Sequence, residues 1–163
     1  MVAGLNLLAT LASVGFAVFA QHQFGLLPCA WCVVQRMIFL AIGLVSVTQL
    51  IRPRPVLVRM VSSITVLLAA AGIYAAIQQH IYATNRFECQ FSIAERIIEW
   101  SGLNHVLAGI FAPRVSCAES ETHLLGLPFE YWSVMLFVWL AAASISLHLK
   151  SPWLRPRCRD ISN

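Results

Sequence analysis

Four long apolar stretches, approximately Val2–Ala20, Val33–Ile51, Met60–Ile81 and Tyr131–Leu149, restrict this chain more than any other feature of it. Each is close to the ~20 residues that a helix needs to cross a bilayer core of roughly 30 Å. In hydrocarbon every backbone N–H and C=O must find its partner inside the protein, and a helix provides this within one segment. Arg36 is the one full charge inside any of the four. The 163 residues are 59% hydrophobic and 11% charged, against about 45–50% and about 25% in soluble domains. The expectation is therefore an all-α membrane protein: one integral membrane domain over residues 1–163, built as a four-transmembrane-helix bundle with a long outer loop.

An N-terminal apolar run can also be a cleaved signal peptide. Such a peptide needs a basic start and a shorter core, and no Lys or Arg precedes Arg36, so a retained first helix is expected. Orientation follows from the basic residues. Arg52, Arg54 and Arg59 crowd the second connection, and Lys150, Arg155, Arg157 and Arg159 fill the tail. Positive loops stay cytoplasmic, which puts both termini inside and residues 21–32 and 82–130 outside. The basic surplus thus reports topology and implies no nucleic acid.

That orientation sorts the five cysteines. Cys29, Cys32, Cys89 and Cys117 fall on the outer side and Cys158 on the other. Four thiols facing an oxidising compartment, which in a bacterium is the periplasm outside the inner (plasma) membrane, can form two disulfides. Cys158 is expected to be a bystander. Within the long loop, Ser92 followed by Glu95 is a capping-box pattern, and Ile93, Ala94, Ile97 and Ile98 share one face. A short helix lying in the membrane interface is expected there, with ordinary loop packing as the alternative. A second apolar patch, Val106, Leu107, Ile110 and Phe111, stops at Pro113.

The chemistry centres on Cys29-Ala30-Trp31-Cys32, fixed at its start by Pro28. Covalent haem would need His after the second cysteine, and Val33 stands there. Structural zinc sites use two CxxC-like clusters, whereas Cys89 and Cys117 are far apart, so no metal is expected. A structural Cys89–Cys117 disulfide would stabilise the fold by roughly 3–4 kcal/mol on a chain-entropy argument, yet it leaves the CxxC pair idle. CxxC pairs are used for exchange more than for stapling. Two pairs together favour a relay, with electrons entering at one disulfide and leaving through the other.

If the second helix starts near Cys32, Arg36 lies on the same face about 6 Å further along the axis. The helix N-terminus and the guanidinium would then both stabilise a thiolate at Cys32. An Arg at such depth costs about 2.5–3.5 kcal/mol on insertion scales and usually faces a partner or ligand; the alternative is snorkelling to the headgroups.

Pro28-Cys29-Ala30-Trp31-Cys32-Val33-Val34-Gln35-Arg36, with Glu88-Cys89-Gln90-Phe91 and Ser116-Cys117-Ala118-Glu119 leading to Leu125-Gly126-Leu127-Pro128, resembles the disulfide bond formation protein B (DsbB) family over nearly the whole chain. The resemblance implies a quinone-dependent protein-disulfide oxidoreductase, using ubiquinone or menaquinone, that reoxidises the periplasmic thioredoxin-fold oxidant DsbA. It makes Cys89 the residue that joins DsbA in a mixed disulfide, and Cys117 the resolving partner that then attacks Cys29. Cys32 would face the quinone with Arg36 beside it. His80 resembles a quinone-side histidine of the family, with a hydrogen-bonded interfacial histidine as the alternative. A paralogue serving a dedicated thiol partner, a reductase, and a non-enzymatic scaffold stapled by two disulfides are the competing functions.

Overall fold

The computed structural model describes residues 2–85, 93–116, 123–124 and 127–150. Cys89, Cys117, Cys158 and the capping Ser92 lie outside the described residues. The architecture is an all-α membrane bundle. Among the described residues four helices are long and apolar enough to span a bilayer: α1 (Val2–Phe24), α2 (Ala30–Ile51), α3 (Pro55–Asn85) and α7 (Phe129–Lys150). Between α3 and α7 come α4 (Ile93–Ser101), the one-turn helices α5 (Leu103–Val106) and α6 (Ala108–Phe111), and a two-residue antiparallel pair, β1 (His123–Leu124) with β2 (Leu127–Pro128).

Local sequence sets the breaks. Gly25 adopts φ 65°, the left-handed conformation that ends helices without a Cβ penalty, and it closes α1. Gly102, at φ 67°, separates α4 from α5 in the same way. Pro53 and Pro55 confine the α2–α3 connection to three residues, 52–54, between two long helices. The helices overrun the apolar stretches at several ends. With 31 residues, α3 is about 46 Å long at 1.5 Å per residue, more than a bilayer core of roughly 30 Å, so its last turns carry Gln79 and His80 towards one end of the bundle.

Helix α2 is the central element, packing on α1 and α3, while α7 packs mainly on α3. In the middle of the bundle Phe39 of α2 stacks on Phe137 of α7, with centroids 4.1 Å apart and planes 3° from parallel. Gly72 of α3 makes room for that pair, because a Cβ there would overlap the Phe137 ring. Nearer the start of α1, Asn6 donates to Ser144 of α7 and Thr10 approaches Gly43 of α2. A second cluster caps the opposite end, where Ala94 and Ile98 of α4 and Phe111 of α6 pack with Trp31, Val33 and Val34 of α2. The apolar face of α4 read from the sequence is thereby divided: Ala94 and Ile98 are buried against the bundle, and Ile93, Ile97 and Trp100 remain exposed.

Candidate functional site

The start of α2 gathers the chemistry. Cys29 is the N-cap residue, with extended backbone at φ −84° and ψ 170°, and its carbonyl accepts the first helical bond from Val33 N–H at 3.1 Å. Three positions on, one turn brings Cys32 back over it. Their sulfurs are in hydrogen-bond contact at 3.0 Å rather than covalently joined. An approach of about 1 Å would bring them to the ~2.05 Å of a disulfide. Cys29 is fully buried and Cys32 partly exposed, so the second sulfur is the one open to a neighbouring space.

That space is a narrow cleft of about 60 Å³ between α1, α2, α3 and α7. Cys32, Arg36 and Phe39 of α2 line it on one helix face, together with Ala17 of α1, Gln79 of α3 and Phe129 of α7. Arg36 is the one charged side chain among the described lining residues. Arg36 is only 7% exposed. Its Nη1 donates to Gln21 Oε1 at 2.9 Å and to the Ile110 carbonyl at 3.0 Å, and Nη2 reaches the Ala17 carbonyl at 3.5 Å. The side chain is held by protein acceptors within the bundle. A guanidinium has five N–H donors, so these contacts leave donors for a ligand oxygen in the cleft. The expected common face of Cys32 and Arg36 corresponds to this lining face of α2.

The long loop between α3 and α7 is tied to the same place. Arg114 N–H donates to the Pro28 carbonyl at 3.0 Å, which sets the segment running into Cys117 directly against the residue before Cys29. His80 stands beside the cleft instead of on its lining: its Nδ1 pairs with Glu130 Oε1 at 2.9 Å, Glu130 being buried, and its ring meets Tyr131 edge-on. The neighbours of that pair, Gln79 and Phe129, are the residues that reach the cleft.

Three buried amides join the site without being singled out by sequence alone. Gln35 and Gln79 hydrogen-bond each other at 2.7 Å on the cleft wall. Gln21 bridges Arg36 and the Gly109 carbonyl. The available signal was a polar side chain in or next to an apolar stretch, which is costly in hydrocarbon unless it has a partner.

A dithiol on the first turn of a membrane helix, beside a cleft with a buried cation, is an arrangement able to carry redox chemistry. Residues 1–147 match the family model of disulfide bond formation protein DsbB. The chain belongs to the DsbB family. The Disulfide bond formation protein B of Azoarcus sp. (strain BH72) is 32% identical over 142 residues, covering 85% of this chain and 84% of that protein. That of Aromatoleum aromaticum is 31% identical over 148 residues, covering 88% and 89%, and Disulfide bond formation protein B 2 of Pseudomonas aeruginosa is 28% identical over 128 residues, covering 76% and 75%. As a DsbB-family chain with four apolar helices, this is a multi-pass membrane protein of disulfide bond formation, with an oxidoreductase role.

Proposed function

We infer that the protein reoxidises a DsbA-like thioredoxin-fold protein in the periplasm and passes the electrons to a quinone in the bacterial inner membrane. One observation carries this: Cys32 and Arg36 both line the cleft, while the loop segment leading to Cys117 is bonded to Pro28 beside Cys29. The whole chain acts as one membrane domain, with both termini cytoplasmic and α4 at the periplasmic interface, where the exposed Ile93, Ile97 and Trp100 suit a lipid boundary.

A partner thiolate attacks the Cys89–Cys117 disulfide at Cys89, forming a mixed disulfide and releasing Cys117. Cys117 opens the Cys29–Cys32 disulfide at Cys29, leaving Cys32 as the thiolate, and the partner's second thiol then breaks the mixed disulfide, giving the partner's disulfide and a free Cys89. Two partner thiols become one disulfide, and the two electrons and two protons released convert a quinone to its hydroquinone. A quinone ring supplies an electron-poor face and two carbonyl oxygens. In this chain the apolar rings of Phe39 and Phe129 suit the ring, the spare Arg36 donors suit a carbonyl oxygen, and Cys32 presents its sulfur. His80 and Glu130, paired at 2.9 Å, stand beside Gln79 and Phe129.

Purified protein mixed with reduced DsbA and ubiquinone-1 or a short menaquinone tests the reading, with quinone absorbance and DsbA thiols followed together. Stoichiometric loss of both supports it. A membrane scaffold would consume neither, and thiol oxidation without quinone loss would point to another acceptor.

A further inference from the structure

The one-turn helix α6 ends in carbonyls that its own backbone cannot satisfy, because the last C=O groups of any helix lack intrahelical partners. Two of them, on Gly109 and Ile110, are taken up by other parts of the protein. Gln21 Nε2 at the end of α1 donates to Gly109 O at 2.8 Å, and Arg36 Nη1 of α2 donates to Ile110 O at 3.0 Å. The two donors are themselves joined, since Gln21 Oε1 accepts from the same Arg36 Nη1 at 2.9 Å. Gln21 is 8% exposed and Arg36 7%, so these bonds are sheltered from water.

We propose that Gln21 is a positioning residue with two tasks: its carbonyl fixes the Arg36 guanidinium at the cleft, and its amide N–H clasps the loop segment 108–114 onto the bundle next to the CxxC pair. This rests on the reading that the Cys32–Arg36 cleft is where electrons leave. One amide thereby links the docking of the loop that supplies electrons to the orientation of the cation that faces their acceptor. Neither task needs Gln21 to touch the acceptor, and Gln21 is absent from the cleft lining while Arg36 belongs to it.

The two ends of the amide can be separated. Gln21→Met removes both functions at similar length. Gln21→Glu keeps an oxygen that accepts from Arg36, with added charge, but replaces the donor to Gly109 O with a second acceptor. Full-length protein in nanodiscs, fed electrons by dithiothreitol, is assayed for the KM and kcat of ubiquinone-1, and backbone hydrogen exchange is followed in parallel without quinone. Gln21→Met should raise the KM about tenfold with kcat within about twofold, the pattern of lost ground-state binding, and should speed exchange of amides in 108–114 while α3 and α7 stay protected. Gln21→Glu should restore a KM near that of the unaltered protein yet exchange as fast in 108–114 as Gln21→Met. Unchanged exchange in both variants overturns the clasp, and a KM raised equally by Met and Glu overturns the positioning of Arg36. If the unaltered protein reduces no quinone, the proposed function falls, and the exchange comparison still decides the clasp. Should Gln21→Met fail to insert, Gln21→Glu alone decides it by the same exchange measurement.

Discussion

Gln35 Nε2 of α2 donates to Gln79 Oε1 of α3 at 2.7 Å, and both amides are buried and line the cleft that Cys32 and Arg36 also line. The pair fixes the register of two helices where the cleft needs it, and each amide is the other's answer to an apolar surrounding. Interhelical bonds of this kind contribute about 0.6 kcal/mol on average and up to about 1.7 kcal/mol in membranes. Gln79→Ala should therefore lower the thermal midpoint by leaving Gln35 partnerless, while Gln35→Leu combined with Gln79→Leu should recover much of the loss. Additive losses in the double variant would show that the two amides are not coupled.

The close packing of α3 on α7 gives a steric prediction. Because a Cβ at Gly72 would overlap the Phe137 ring, which is fully buried and stacked on Phe39, Gly72→Ala must displace a ring at the centre of the bundle. Overpacking of this kind costs about 1–3 kcal/mol. Denaturant or thermal unfolding in detergent should show it, and a companion Phe137→Leu should relieve part of the cost.

Arg36 has separable structural and functional consequences. Arg36→Gln keeps a donor for Ile110 O at shorter reach but removes the cleft's positive charge. The expected result is retained expression and retained disulfide formation with DsbA, with the apparent KM for quinone raised roughly tenfold, about 1.4 kcal/mol of binding. Normal quinone turnover by this variant would place the ligand away from Arg36.

Removing the buried cysteine should reveal the exposed one. Cys29→Ser leaves Cys32 without its partner at 3.0 Å, and a thiolate sulfur against an electron-poor quinone ring should give a visible charge-transfer band. Acidification should bleach it as the thiolate takes up a proton. Absence of any quinone-dependent band in folded protein would argue against direct contact between Cys32 and the ring.

Topology can be checked independently. The basic clusters at Arg52–Arg59 and Lys150–Arg159 predict that a membrane-impermeant thiol reagent added to reduced, intact spheroplasts labels outer cysteines and spares Cys158. Labelling confined to Cys158 would invert the orientation.

The sequence by itself determined the class of the molecule. Uninterrupted apolar stretches leave helices as the only way for such short segments to satisfy their backbone in lipid, and the CxxC spacing with Arg36 four residues on puts a dithiol and a cation together because one turn of helix superposes those positions. Pro28, Pro53 and Gly25 mark breaks for equally local reasons, a fixed φ or a left-handed one. The tertiary structure alone decided what Arg36 touches: Gln21 is 15 residues away in sequence and Ile110 is 74. It likewise decided that Gln35 meets Gln79, that His80 pairs with Glu130, and that α4 buries Ala94 and Ile98 while Ile93 and Ile97 stay outside. Periodicity can say which residues share a helix face, but not which neighbour covers that face. Long-range pairing depends on how helices of similar hydrophobicity pack, and in hydrocarbon a few buried polar contacts and one close Gly–Phe approach select among packings that apolar area alone would leave nearly equal.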